Sequence, residues 1–250
     1  MRGLKTLILI VLIATSYGSF GTPVISAATK AKLYQVIKLE QDFVNDIIER
    51  GASWHFKYTL LTESYNQHKK KFEIIRTNGE LIASKKFRYM NTENMEMCMN
   101  DNEVITILKQ QKLVTKIPST KEALESMTNE YSSMLRDSFF RQFNLHSVSS
   151  VDESGQKLLR YHFIPKDKPK SVYTQMTIFI SERDNTLRKV YMEYSPSSRR
   201  EVKASTMIIE KREELRNGFD FGVFKRRVFS GNGVLSSAYR GYKYRVRRAN

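Results

Sequence analysis

The spacing of hydrophobic residues changes once, near residue 51. Before it, Leu33, Val36, Ile37, Val44, Ile47 and Ile48 recur close to every 3.6 residues, with Glu40 as one polar interruption. Gly51 follows where a C-cap belongs, so the spacing predicts a helix. After it the period is two. Trp54, Phe56, Tyr58 and Leu60 point one way and His55, Lys57 and Thr59 the other, the pattern of a half-buried strand. Residues 66–71 are polar and basic and read as a turn, and 72–76 resume a strand. Asn78-Gly79 is a strong hairpin signal, because a type I′ turn needs positive φ at both central positions; residues 81–90 are the expected return strand. Met95, Met97 and Met99 alternate with Glu96 and Cys98 in a further strand. Asn100-Asp101-Asn102 is a tight turn, and 104–108 with 113–117 form one more hairpin across 109–112.

Pro118 ends that run. Ser119 followed by Glu122 is a capping box, so a second helix is expected, carried by Leu124, Met127, Tyr131 and Phe139 to about Phe143. Strands resume at 158–164, 172–181, 187–194 and 201–211, with a turn at Arg183-Asp184-Asn185. The last pair, 223–229 and 234–246, joins across Gly231-Asn232-Gly233. The order is helix, hairpins, helix, hairpins, which is mainly β with helices (α+β). Consecutive antiparallel strands twist and curl. A long curled sheet has a concave face that must be filled, and the two helices are the natural plug or lid.

The N-terminus departs from this pattern. Arg2 and Lys5 precede an uncharged apolar run at 7–14, and Ser26-Ala27-Ala28 reads as a cleavage site before Thr29. Residues 1–28 are therefore expected to be a cleavable secretion signal and 29–250 a single domain. The other reading, an uncleaved anchor or core helix, meets Thr22-Pro23, which interrupts a helix. The apolar run is too short to span a bilayer, which needs about 20 residues. Cys98 is the one cysteine, so no internal disulfide closes and no lipid-acceptor Cys follows the apolar run. Alternating with Met97 and Met99, Cys98 reads as a packing residue. Without Arg2 and Lys5 the formal charge falls from +16 to +14. Such a charge suits acidic partners, anionic lipid or nucleic acid, and export makes nucleic acid the poorest fit.

Catalytic patterns are missing from the sequence. His55, His68, His146 and His162 fall in no metal-ligand spacing, and there is no G-x-S-x-G, P-loop or G-x-G-x-x-G. The expectation is no enzyme, no catalytic residue, no metal and no cofactor. What stands out is apolar bulk: 14 Phe, 13 Tyr and 10 Met, many on alternating strand positions. Each fits a plain core. Together, Trp54, Phe56, Tyr58, Leu60, Met95, Met97 and Met99 could line a curled sheet that holds an acyl chain, because Met and aromatic surfaces accept flexible apolar ligands. At the C-terminus Tyr242, Tyr244 and Val246 alternate with Lys243, Arg245 and Arg247. This stripe fits a solvated edge strand, with the cations outward, equally with a contact for anionic headgroups.

The leading helix into 54–60, the Asn78-Gly79-Glu80 segment, Met99-Asn100-Asp101-Asn102-Glu103-Val104, Thr177-Ile178-Phe179-Ile180 with its turn into 187–194, and the closing 239–246 segment resemble the outer-membrane lipoprotein carrier family, the LolA-like periplasmic proteins. The resemblance covers nearly the whole chain after residue 28. It implies an incompletely closed, strongly curled antiparallel β-barrel with helices as a lid over an apolar cavity. It further implies a monomeric periplasmic carrier for acyl chains of lipoproteins or lipids. The family's strand after the first hairpin carries an Arg-Pro pair whose Arg helps hold the lid closed. Here that stretch reads Lys85-Lys86-Phe87-Arg88-Tyr89, without Pro, and Arg88 is the nearest match. Regulators of the RseB type use the same scaffold, which implies the alternative of an envelope protein-binding or stress-sensing module.

Overall fold

A computed structural model describes residues 26–124, 142–196, 201–215 and 219–246. Helix α1 (Ala27–Glu49) begins at Ser26, whose hydroxyl accepts the Thr29 backbone N–H at 3.1 Å. It ends in a Schellman motif: Gly51 N–H donates to Ile48 and Ala52 N–H to Ile47, both at 3.1 Å, with Gly51 at φ +78°. Twelve strands follow in one sheet: β1 (Ser53–Asn66), β2 (Lys71–Ala83), β3 (Phe87–Thr92), β4 (Met95–Asn100), β5 (Glu103–Leu108), β6 (Leu113–Pro118), β7 (Phe143–Glu153), β8 (Gln156–Pro165), β9 (Tyr173–Ser181), β10 (Leu187–Tyr194), β11 (Val202–Leu215) and β12 (Lys243–Val246). Helix α2 (Phe221–Val228) lies between the last two. The strand order is β12-β6-β5-β4-β3-β2-β1-β11-β10-β9-β8-β7. Every neighbouring pair is antiparallel except β12 on β6. β12 and β7 end the order, so the sheet is a curled barrel left open.

Register assigns the two faces. Trp54, Phe56 and Tyr58 lie opposite Ala83, Leu81 and Gly79; Ala83 and Leu81 lie opposite Arg88 and Met90; and these lie opposite Met99 and Met97. In the other direction Leu60 meets Met207, then Val190, Ile178 and Tyr161. This is the inner face. Leu33, Val36, Ile37, Val44 and Ile47 of α1 cluster on it with Trp54, Phe56, Tyr161, Phe163, Met176, Ile178, Ile180, Val190 and Ile209. The outer face of the β2–β6 half carries Ile82, Phe87, Tyr89, Cys98, Ile105, Ile107 and Val114, covered by Phe224 and Val228 of α2 and by Phe229. Each large apolar side chain so buried contributes roughly 1.5–3 kcal/mol. The N-terminal helix thus roofs mainly the C-terminal strands, and the C-terminal helix backs the N-terminal ones.

Three expectations are corrected. Asn78-Gly79 is not a hairpin: β2 runs straight through it to Ala83, so the expected return strand 81–90 is instead the end of β2, a turn at 84–86 and the start of β3. A Cβ on Gly79 would stand 2.2 Å from Tyr58 Cζ, so the glycine makes room for the ring of the neighbouring strand. The chain reverses at 67–70 instead, where the Asn66 side-chain oxygen accepts the N–H groups of His68 and Lys69 at 3.0 and 3.1 Å and Lys70 takes φ +51°. Residues 223–229 are not a strand. Asp220 Oδ1 caps Gly222 and Val223 N–H at 2.6 and 3.2 Å, Phe224 and Val228 fall on one helical face, and three cations occupy the last turn. Only the bridge Phe229–Leu235 survives of the expected hairpin. The second helix starts from Thr120 rather than Ser119, since the Thr120 hydroxyl accepts Ala123 N–H at 3.2 Å; residues 125–141 lie outside the described residues. Phe143, expected near that helix's end, opens β7, a strand whose serines and polar residues hid it.

Candidate functional site

The inner face has two parts. On β1, Trp54, Phe56 and Tyr58 form a ladder of stacked rings, with centroids 5.2 and 5.5 Å apart. Trp54 and Phe56 are each 2% exposed and belong to the cluster roofed by α1. Tyr58 and Leu60 are half-buried farther along the strand, and burial raises the Tyr58 phenol above its ordinary pKa. On β4, Met99 packs with Val104 and Leu124, and Met97 and Ala123 lie against them. Met95, Met97, Met90, Leu108 and Leu113 are only half-buried. The structure therefore sets all seven apolar candidates on one face but in two groups, Trp54 to Leu60 on β1 and Met95 to Met99 on β4.

Arg88 joins the groups. Its register is with Ala83 on one side and Met99 on the other. The side chain is buried, and Nη1 donates to the carbonyls of Ser84 and, at 2.7 Å, Phe87. Burial lowers its pKa to about 10. These bonds fix the β2–β3 turn; a role in closing a lid stays with the proposal below.

α1 is tied down by a pair that periodicity alone did not reveal. Glu40, the polar interruption in its apolar stripe, faces Arg212 of β11 as an ion pair, and Glu40 Oε1 also accepts Leu187 N–H at 3.4 Å. Burial raises the Glu40 pKa, opposed by Arg212. The pair spans 172 residues of sequence, which is why no local pattern exposes it. Tyr161, wholly buried on the inner face, has no hydrogen bond to its hydroxyl among the described residues.

A cleft of about 740 Å³ opens where α1 meets β1 and across the β2–β3 and β4–β5 turns. Lys85, Lys86 and Lys121 share its wall with Asp101 and Asp220 and with Phe87, Leu124, Phe219 and Phe221, so charges of both signs stand beside apolar side chains. Its size falls within the roughly 300–1,000 Å³ of small-ligand sites. In the sequence Lys85 and Lys86 stand out only as a departure from a motif, and no local pattern brings the walls of this cleft together.

The C-terminal stripe needs one correction. Lys243, Tyr244, Arg245 and Val246 are exposed on the edge strand β12, and Arg247 lies outside the described residues. The parallel register pairs Tyr244 with Val114, on the outer face, where its ring meets Phe229 at 5.2 Å. Lys243 and Arg245 pair with Leu113 and Thr115. The cations therefore share the side of Met95 and Met97 instead of facing away from it.

Among the described residues, no group of His, Cys, Asp or Glu is placed to hold a metal ion, and no helix is long and apolar enough to cross a membrane. No protein-family model matches the chain, and no curated protein does. Solved structures do. The chain is similar to a putative outer membrane lipoprotein-sorting protein domain from Vibrio parahaemolyticus, at 10% identity and TM-score 0.31 over 78% of this chain and 97% of that one. It is also similar to a LolA superfamily protein from Nitrosomonas europaea, at 7% identity and TM-score 0.30 over 72% and 96%. A third is MucB in complex with MucA(peri), at 7% identity and TM-score 0.33 over 73% and 58%. At such identities and scores the function has to be argued from this chain's own side chains.

Proposed function

We propose that this chain is a periplasmic carrier or binding protein that buries acyl chains of lipoproteins or lipids against the inner face, without covalent chemistry. One observation carries the reading: the inner face of β3–β6 presents half-buried Met90, Met95, Met97, Leu108 and Leu113 beyond the roof of α1. Methionine is flexible and polarisable enough to fit chains of varied shape. Each methylene that leaves water contributes about 0.8 kcal/mol, so a long chain binds without a specific polar contact. In this reading α1 is the lid over Trp54 and Phe56. It yields to extend the groove, with Arg88 holding the turn that lies between the two groups. Lys243, Arg245 and Arg247 meet an anionic headgroup at the β12 edge. Residues 1–28 direct export in this reading and are removed from the mature protein.

A second reading, an envelope protein-binding module, is favoured by the open edge strands β7 and β12. Native mass spectrometry of protein purified from envelope extract separates the two. Bound lipid mass that M97D/M99D abolishes supports the carrier. A stoichiometric polypeptide, with no lipid, overturns it in favour of the second reading.

A further inference from the structure

The far end of the β1–β2 hairpin stands apart from the sheet. β3 pairs with β2 only from Gly79 onward, so, among the described residues, 71–78 have an unpaired edge about 25 Å long. Large apolar side chains crowd this end: Ile74 is 71% exposed, Ile75 54% and Phe72 47%, with Tyr65 edge-on to Phe72 at 5.4 Å. They point both ways. Phe72 and Ile74 lie opposite Tyr65 and Glu63 on the outer face, whereas Ile75 lies opposite Thr62 on the inner one. Five cations surround them: Lys69, Lys70 and Lys71 at the turn, Arg76, and Lys203, whose ammonium stands 5.6 Å from the Phe72 ring centre. Three carboxylates offset part of this charge. Glu73 pairs with Lys69 at 3.0 Å and Lys71 at 3.7 Å, Glu63 pairs with Lys203 at 2.9 Å, and Glu201 accepts from Gln67 at 2.6 Å. Lys70 and Arg76 have no ion pair among the described residues.

We infer that this hairpin end is a membrane-docking wedge that inserts Phe72, Ile74 and Ile75 into the interface of an anionic bilayer. A folded partner surface covers one face of a hairpin, but apolar groups on both faces call for a medium that surrounds it. Aromatic rings settle at headgroup depth, and lysine stems reach past apolar groups to hold their charge among phosphates. Neither the acyl-chain groove nor the β12 stripe is needed for it. Its role would be to set the protein on the surface from which an apolar ligand is drawn.

The test is cosedimentation of the full chain with phosphatidylcholine vesicles, with and without phosphatidylglycerol. Wild type is expected to bind the anionic vesicles and to be weakened by salt. I74S/I75S and K69Q/K70Q/K71Q should each lower partitioning about tenfold or more, since each lysine alone contributes about fivefold near an anionic surface. K166Q/K168Q, two exposed lysines between β8 and β9, should bind as wild type. All these positions are exposed, and an unchanged melting temperature confirms the fold. In an F72W variant the new indole should be quenched by lipids brominated in the acyl chain. Lipid retained in native mass spectrometry should be unaffected by I74S/I75S, which separates this inference from the carrier reading. Wild-type failure to bind, equal binding by I74S/I75S, or a dimer that I74S/I75S dissociates in the absence of vesicle binding would each overturn the wedge.

Discussion

The Glu40–Arg212 pair decides how firmly α1 is held, and replacing Arg212 with Met exposes its value. The two side chains are 11% and 17% exposed, so the pair is largely desolvated. Removing one partner of a fully buried pair costs about 3–5 kcal/mol. With residual exposure here, and with the Leu187 N–H still donating, R212M should destabilise by about 2–3 kcal/mol at pH 8. E40Q keeps an acceptor for Arg212 and should cost about 1 kcal/mol. The coupling from the double-mutant cycle should be about 1.5–3 kcal/mol. The sign with pH follows from burial. Glu40 has a folded pKa above its ordinary 4.5, so its contribution is fully favourable below 4.5 and is lost as pH rises through the folded value. Taking away Arg212 raises that folded pKa further, and the gap between R212M and wild type should narrow as pH falls from 8 toward 5. Urea unfolding followed by emission of the sole tryptophan, Trp54 beneath α1, is the assay. Additive single effects and a gap independent of pH would show that the pair does not hold the helix.

G79A should cost about 1–3 kcal/mol by forcing the Tyr58 ring aside, and much less in a Y58A background; thermal melts of the four proteins check this. Y161F should be neutral or stabilise by about 1 kcal/mol, because it removes a buried hydroxyl with no bond among the described residues; chemical denaturation reads it out. Cys98 is fully buried and its thiol is pushed up to about 12, so alkylation of native protein at pH 8 should proceed only as fast as unfolding, as followed by mass spectrometry. Glu103 is held below 4.5: burial opposes this, but Lys116 at 2.6 Å and Lys225 at 2.5 Å outweigh it. Its contribution is therefore present above 4.5 and lost as pH falls through the folded value, and E103Q should flatten the acid side of a stability–pH curve.

Strands with clear alternation were legible in place, though not in length. β1, β4, β5 and β6 and most of β8 to β11 lie where apolar alternation or a short apolar run puts them, with β1 and β11 running on past the predicted ends to Asn66 and Leu215. The failures have a common cause. Asn78-Gly79 carries a local turn signal, but the glycine answers to Tyr58 on the next strand, a tertiary demand that no window along the chain contains. Residues 223–229 alternate weakly enough to read as strand, and the deciding feature is the Asp220 cap. Of the candidate site, parity groups Trp54, Phe56 and Tyr58 on one face of β1 and Met95, Met97 and Met99 on one face of β4; that the two faces are the same one depends on register through β2 and β3. The Glu40–Arg212 tie, the cleft and the side taken by Lys243 and Arg245 depend on contacts between distant segments. A parallel β12 could not be read from a sequence whose other strands suggested hairpins.

The crossed covering of the two halves constrains how the chain can be assembled. α1 is made first, yet most of its apolar partners, from Tyr161 to Ile209, are made late. The outer face of β2–β6 waits longer still, for Phe224 and Val228. The seam between the halves, β1 on β11, closes only when Tyr58 meets Ile209. Neither half can therefore mature as an independent unit, although the sheet has no crossing within either one. Contacts this remote favour slow folding, with apolar surface open until the last segment is complete. Cutting the chain after β6 should yield two aggregating fragments that recover a fold only when combined.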